Sequence, residues 1–318
     1  MPNTALNQIH VAVGVIVDPA GQVLLSCRQA GQHLAGFWEF PGGKVEPGES
    51  VEQALSRELE EELGIVVQNS EPLIQIPYTY PEKTVLLDVH VVSHYTGKVR
   101  SREGQPLNWV AVSQLGSVKF PPANKPIVSA LQLPDRICIT GSYAGFADLR
   151  ANCLKAIEIH KCSLIQYRAP WLTQEEYLAS YLALRNSLPT SEVSVFANTH
   201  WSTELLQASE LTAVHLSSKL LGEVEAKTPF TQVSAACHNL EQLRKAEAMG
   251  VDFVYFSAVQ ATSSHPDEQP QGWQALQEFC ARAAVPVYAL GGLDTADIAR
   301  AKACGAQGIA AISAFWGT

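Results

Sequence analysis

Apolar and polar positions along the first third of the chain fall into two rhythms. Residues 11–17 and 23–26 are short apolar runs either side of a Pro19-Ala20-Gly21 turn, and runs at 85–93 and 107–112 repeat the pattern. Runs of this length, bounded by turn residues, predict strands. Between the two pairs the period lengthens. Val51, Leu55, Leu59 and Leu63 recur every four residues, the apolar stripe of a helix. Ser50 followed by Gln53 provides a capping-box start, and Gly64 provides the stop. Strands around one helix predict an α+β domain over residues 1–131.

From Arg136 the rhythm changes. Apolar runs at 136–140, 163–168, 193–197, 213–216, 232–236, 253–258, 285–290 and 308–313 alternate with helical segments. Alternation over this length predicts a parallel sheet, and eight repeats predict a TIM-type (β/α)8 barrel over residues 132–318. The 318 residues suit two domains, and an apolar content of 47% supplies a core for each.

Charge and composition exclude several classes. The net charge of −9 leaves no global basic surface for duplex nucleic acid. No charged leader precedes a long apolar run and no 18-residue apolar span occurs, so a soluble, cytoplasmic protein with no membrane partner is expected. The seven cysteines are scattered and lack a C-x-x-C pair, which predicts free, mostly buried thiols rather than a zinc site.

The candidate chemistry lies on the predicted helix. At roughly 100° per residue, Glu58 and Glu62 fall beside Val51 and Leu55 on the apolar stripe, and Glu61 joins them as the i+3 neighbour of Glu58. Carboxylates drawn together on an inward side repel. A hard cation such as Mg²⁺, with Mn²⁺ as the alternative, relieves that repulsion and is commonly shared with substrate phosphates. Glu52 and Glu60 point elsewhere as solvated charges. The plain alternative is a solvated, acid-rich helix face.

Residues 43–65 fit the pattern G-x5-E-x7-R-E-U-x-E-E-x-G-U, with U bulky and apolar, at Gly43, Glu49, Arg57, Glu58, Leu59, Glu61, Glu62, Gly64 and Ile65. The chain thereby resembles the Nudix hydrolases, which cut a diphosphate joined to another moiety using divalent metal. The segments GFWEFPGGKVEPGES, EGQPLNWVAV and FPPANKPIVSAL narrow the likeness to the MutT family, which removes oxidised guanine nucleotides. The resemblance implies metal ligands at the Gly43 carbonyl and at Glu58, Glu61, Glu62 and, outside the box, Glu103. It implies that Arg57 orients the glutamates and that Glu49 supports it; Glu58 is the first choice for activating water, with spacing leaving the base open among these carboxylates. Arg28 and His33 match residues near the nucleotide phosphate and base. Phe40, with Pro41 and Gly42 beside it, matches the segment whose backbone meets the oxidised base. Asn124 matches the amide that reads the base edge, a job suited to a group that both donates and accepts. Tyr80 and Lys83, around Glu82, occupy the YPEK turn. Read alone, Asn124 is a turn residue, His33 a loop histidine, Glu103 a solvated acid and Arg28 half of a surface ion pair.

The second half, about residues 133–316, resembles thiamine monophosphate synthase and its relative the thiazole tautomerase through LIQYR, AVHLSS, VSAACHN and PVYALGGL followed by GIAAISA. The likeness implies a phosphate on backbone N–H groups at Gly291, Gly292 and residues 312–314, including Ser313; tight strand exits are the alternative. The synthase motifs are altered. Alanine and proline follow Arg168 where a lysine belongs, Thr199 follows Asn198, the acid after the HLGQ-like segment is absent from HLSSKLL, and His265 follows Thr262 and Ser264 in place of a lysine. Ser257 stands at the tautomerase histidine position. Thiamine phosphate synthesis is therefore not expected. His160, His200, His215, His238 and His265 are separate candidates, His215 reading as a packed core residue. Little chain remains for an eighth helix, so the open flank of the barrel is expected to be covered by the first domain or by a second subunit, in a homo-oligomer.

These readings converge on a Mg²⁺-dependent hydrolase of a small nucleotide, 8-oxo-dGTP or 8-oxo-GTP. The alternatives are Nudix hydrolysis of a thiamine-pathway diphosphate, and a barrel that is a non-catalytic ligand-binding module.

Overall fold

The computed structural model describes residues 8–31, 34–189, 193–199, 201, 211–225, 230–262 and 269–317. The chain passes from one compact unit to the next between Leu133 and Pro134.

The first unit has strands β1 (Gln8–Ile16), β2 (Gln22–Cys27), β3 (Trp38–Glu39) and β4 (Gly42–Lys44), then helix α1 (Val51–Leu63). Strands β5 (Ile65–Thr79), β6 (Thr84–Gly97) and β7 (Leu107–Ala111) follow, and helix α2 (Lys125–Gln132) closes it. One sheet has the order β4-β1-β6-β5 and the other β3-β2-β7. β1 runs parallel to β6 in the register Gln8↔Thr84 to Ile16↔Val92. The two faces of β1 enter different cores, as a period of two requires. Ala12 and Ile16 join Leu55, Leu59 and Leu63 of α1, and Val13 and Val15 join Phe40, Val89 and Phe120. The four-residue stripe of the sequence is thus the buried face of α1. Both halves of the Ser50–Gln53 capping box form, and Gly64 ends the helix in the left-handed region at φ 71°.

Strand β5 carries no clean alternation in the sequence. It is an edge strand containing Pro72 and Pro77, and its pairing with β6 shifts register three times. Edges and bulges are where a sheet accepts proline. Beside it, Asp88 is buried but well partnered: Gln75 Nε2 donates to it at 2.7 Å, and His10 and His90 lie 3.3 Å from its two oxygens. Burial works against the charge, yet these contacts hold its carboxyl below the usual range.

The second unit is a closed eight-stranded barrel, β8 (Arg136–Ile139), β9 (Leu164–Arg168), β10 (Ser194–Asn198), β11 (Ala213–Leu216), β12 (Gln232–Cys237), β13 (Phe253–Phe256), β14 (Val287–Leu290) and β15 (Gly308–Ala311). All neighbours are parallel, and Ile309↔Arg136 to Ala311↔Cys138 closes the ring. Closure depends on Gly308, where a Cβ would stand 1.9 Å from the Asp135 carbonyl oxygen. All eight predicted runs form strands. Among the described residues, helices follow every strand except β10, whose exit includes undescribed residues, and β15. Five cysteines are buried, Cys27 and Cys304 are half-buried, and all seven are free. No helix among the described residues is long and apolar enough to cross a membrane.

Candidate functional site

Helix α1 has its apolar stripe in the core, which fixes where its acids go. Arg57 is the hub. Its Nε donates to Glu49 Oε1 at 2.8 Å and its Nη2 to Glu49 Oε2 at 3.0 Å, a two-pronged grip on one carboxylate. Its Nη1 donates to Glu58 Oε1 at 2.8 Å, Nη2 also reaches the Lys44 carbonyl at 3.0 Å, and Glu61 stands at 3.6 Å. The arginine draws the Glu49 carboxyl down to about 2, chiefly through those hydrogen bonds, with the Glu46 N–H adding to them.

Glu58 and Glu62 are half-buried. Glu61 is not: its side chain is 59% exposed, so only two of the three expected inward carboxylates face inward, and the third leans out toward Arg57. Burial pushes the Glu62 carboxyl up to about 8, and the charges of Glu103, Glu58 and Glu39 add to the shift, with the Gly42 N–H opposing it. Three neighbouring acids therefore act on one carboxylate. Gly43 lies directly against Glu58, and a Cβ there would sit 2.1 Å from the Glu58 carboxyl carbon. A larger residue there would have to push the Glu58 carboxylate aside.

Glu103 comes from the loop after β6. That loop folds over the end of α1: the Arg100 N–H reaches the Leu63 carbonyl at 3.0 Å, and the Arg102 N–H reaches the Glu62 carbonyl at 2.9 Å. The last carbonyls of a helix lack partners within it, and this loop satisfies them.

Among the described residues, no three acidic, imidazole or thiol side chains already converge as a metal cage. The donor set nonetheless fits a hard cation. It is all oxygen, it combines carboxylates with the Gly43 backbone, and its acids repel one another for want of a positive charge.

The nucleotide-facing candidates form a second cluster. Arg28 pairs with Glu39 on the adjacent strand, and each side chain is about one quarter to one third exposed. Burial raises the Glu39 carboxyl, and Arg28 opposes that. Burial likewise raises the Tyr80 phenol, which feels both Arg28 and Glu39. Glu39 was not singled out in the sequence, because an acid in a two-residue strand carries no spacing signal; its pairing with Arg28 could have suggested it. Phe40 is 4% exposed and stacks on Phe120 with ring centroids 5.4 Å apart and an interplanar angle of 4°. The Pro41 carbonyl accepts the Gly14 N–H at 2.8 Å, holding the FPGG segment on β1. In the YPEK turn the Tyr80 N–H bonds the Lys83 carbonyl, and the exposed Lys83 ammonium stands 5.7 Å from the Tyr80 ring centroid. His33 lies outside the described residues.

Asn124 occupies the position before α2, yet its side chain makes no capping bond. Its Oδ1 is buried with no hydrogen-bond partner. Buried polar atoms are nearly always paired, because leaving one unpaired costs about 1–3 kcal/mol. A plain turn residue does not account for this one.

The barrel holds a cavity of about 710 Å³ at the ends of its strands. Gly291, Gly292 and Ser313 line it, with Arg168, Asn198, His215, His238, Tyr255 and Ser257. Both glycines have positive φ and press on the 258–261 loop; a Cβ on Gly292 would meet the Ala261 carbonyl oxygen at 2.2 Å. Tight strand exits are thus real here. His215 is 3% exposed, bonds Ser234 Oγ through Nδ1 at 2.9 Å and stacks on Tyr255 at 4.7 Å. Burial pushes its imidazole down to about 3. His238 Nδ1 lies 2.9 Å from the Ser257 carbonyl oxygen, and His160 packs on Phe315. Gln166 Oε1 and Tyr255 Oη are buried without partners. His200, Ser264 and His265 lie outside the described residues.

A family model described as NUDIX domain matches residues 12–130, and one described as thiamine monophosphate synthase matches residues 137–315. The chain is 36% identical over 127 residues to an 8-oxo-dGTP diphosphatase of Escherichia coli (strain K12), covering 40% of this chain and 98% of that protein. It is 44% identical over 123 residues to an 8-oxo-dGTP diphosphatase of Haemophilus influenzae, covering 39% of this chain and 90% of that protein. It is also 36% identical over 118 residues to a CTP pyrophosphohydrolase of Escherichia coli (strain K12), covering 37% of this chain and 87% of that protein.

Proposed function

The chain belongs to the Nudix hydrolases through its first unit and to the thiamine monophosphate synthase family through its second, and on that footing we propose that the first unit hydrolyses 8-oxo-dGTP, and 8-oxo-GTP, to the monophosphate and diphosphate, sanitising the nucleotide pool.

Identity alone does not choose the base, since a relative named for CTP is as similar, at 36%, as one of those named for 8-oxo-dGTP, another of which reaches 44%. The observation that carries the choice is the orphaned Asn124 Oδ1. A buried acceptor calls for an N–H. Oxidation at C8 turns N7 of guanine from an acceptor into an N–H donor, so the oxidised base supplies what dGTP lacks. Rejection is strong where the wrong ligand leaves a buried polar group unpaired. Phe40 and Phe120 supply an apolar wall beside this segment, and the FPGG backbone lies along it.

Gly43, Glu58, Glu61, Glu62 and Glu103 are the residues assigned to hold the metal. A bound Mg²⁺ or Mn²⁺ supplies charge neutralisation on the phosphates and a template for in-line attack. Glu58 is assigned to take the proton from the attacking water. Arg57 holds that carboxylate from one side while gripping Glu49 with the other, which restrains its orientation. Arg28, held by Glu39, is assigned to the nucleotide phosphate and base, and Tyr80 and Lys83 of the YPEK turn to the grip on the base.

A second reading keeps the chemistry and changes the substrate to a thiamine-pathway pyrimidine diphosphate. The barrel cavity, with Gln166 Oε1 and Tyr255 Oη unpaired inside, favours a ligand there. The test is Mg²⁺-dependent turnover of 8-oxo-dGTP, dGTP, CTP and hydroxymethylpyrimidine diphosphate by the full chain. Preference for the pyrimidine diphosphate overturns the sanitation reading. Turnover of nucleotide with unchanged rate when the barrel cavity is altered leaves the barrel as a binding module or scaffold.

A further inference from the structure

The loop that carries Glu103 contains one polar side chain that is itself buried. Gln105 is 8% exposed, and every polar atom of its amide is engaged. Its Oε1 accepts the Ser101 hydroxyl at 2.7 Å and the Glu103 N–H at 3.2 Å, and its Nε2 donates to the Glu62 carbonyl at 3.3 Å. One amide therefore joins the backbone of Glu103 to the backbone of Glu62. Neither Glu62 nor Glu103 touches the other directly in this bonding scheme; the amide is the bridge.

The rest of the loop is built around that bridge. Arg102 donates its N–H to the Glu62 carbonyl at 2.9 Å and its guanidinium to the Glu60 carbonyl at 2.9 Å. Gln29, from the other sheet's side, donates to the Glu103 carbonyl at 2.8 Å. The Cys27 N–H donates to the Pro106 carbonyl at 2.9 Å. Gly104 turns the chain at φ 81°, so the acid stands at the apex of a tight turn. The Glu103 side chain is exposed. Its backbone is held from several sides, and Gln105 is the buried side chain that bonds both the Glu103 N–H and the Glu62 carbonyl.

We propose that Gln105 is a positioning residue that sets Glu103 against Glu62, so that an acid outside the helix joins the helix carboxylates in one metal-binding set. The inference rests on the metal-dependent reading above. Groups that hold metal ligands in place commonly change metal affinity by about 10–100-fold when removed. Because Gln105 acts through Glu103, its loss and the loss of the Glu103 charge should not add.

The test uses the full chain with Gln105→Met, Glu103→Gln and the double variant. Mn²⁺ affinity is read from the electron paramagnetic resonance signal of the free ion, and folding from the melting temperature of metal-free protein. The expected result is about tenfold weaker Mn²⁺ binding in each single variant and no further loss in the double. Nucleotide kcat recovers toward wild type at high metal in Gln105→Met. Unchanged Mn²⁺ affinity in Gln105→Met, or additive losses in the double variant, overturns the proposal even if the enzyme is metal-dependent. A wild-type chain that binds no Mn²⁺ removes the metal reading and this proposal with it. Should Gln105→Met not fold, Ser101→Ala frees the same amide oxygen and is expected to weaken Mn²⁺ binding in the same direction by a smaller factor; no change there counts against the role.

Discussion

The helix site of the first unit and the cavity of the barrel are both polar, but they handle polarity in opposite ways. Around α1, among the described residues, Glu39 pairs with Arg28 and Glu49, Glu58 and Glu61 share Arg57, while Glu62 feels the charges of Glu103, Glu58 and Glu39. In the barrel cavity the lining residues with a formal charge are Arg168 and Asp294, and the interior instead holds neutral groups, two of them with unpaired atoms. The first arrangement asks for cations and phosphates. Among the described lining residues the second offers a single carboxylate, Asp294, beside its neutral groups, and its unpaired Gln166 and Tyr255 atoms ask for a hydrogen-bonding partner. A match to a synthase family thus shows where a site lies without showing that its chemistry survives.

The largest effect should separate the two sites outright. Glu58→Gln and Glu62→Gln are expected to lower nucleotide kcat by about 10²–10⁴-fold, the usual worth of a proton-transfer group or metal ligand. Tyr255→Phe and Gln166→Leu in the barrel are expected to leave it unchanged. Steady-state kinetics on 8-oxo-dGTP decides; a comparable loss from the barrel variants would make the two sites interdependent.

Selectivity comes next. Asn124→Ala should lower kcat/KM for 8-oxo-dGTP by about 10–100-fold while barely affecting dGTP, because the lost group reads only the oxidised edge. Equal losses on both nucleotides would make Asn124 a structural residue.

In the barrel the sharpest probe is pH. His215 is held near 3 when folded, against about 6.5 when unfolded. As pH falls below that unfolded value the unfolded chain takes up a proton that the folded chain refuses, so stability is lost. Between pH 7 and pH 5 the loss should be about 2 kcal/mol. Thermal melts should show a shallower acid slope for His215→Asn than for wild type; parallel slopes would mean that the imidazole is not kept neutral.

The smallest effect concerns the orphaned phenol. Tyr255→Phe removes a buried hydroxyl with no partner and should stabilise the chain by about 1 kcal/mol, whereas Tyr288→Phe, which gives up the bond to the Pro134 carbonyl, should destabilise it by a similar amount. Denaturant melts of the two variants provide the comparison.

How much of this was legible in the sequence follows from locality. The α1 stripe, its Ser50 cap, its Gly64 stop and all eight barrel strands are local patterns, and the chain writes them plainly. Strand β5 is stabilised by pairing with β6 rather than by its own alternation, so its prolines and bulges hid it. The outward lean of Glu61 follows from its contact with Arg57, which helical spacing alone does not weigh. Glu39 and Gln105 matter through partners 11 and 43 residues away in sequence, Arg28 and Glu62. The unpaired state of Asn124 is visible only once everything that might have bonded it is in place.

The most direct test is the ratio of kcat/KM for 8-oxo-dGTP to that for dGTP in Mg²⁺, measured on the full chain and on Asn124→Ala. The account predicts a large preference for the oxidised nucleotide that collapses by at least tenfold in the variant. A wild-type chain indifferent to oxidation, or a variant that keeps the preference, would contradict it.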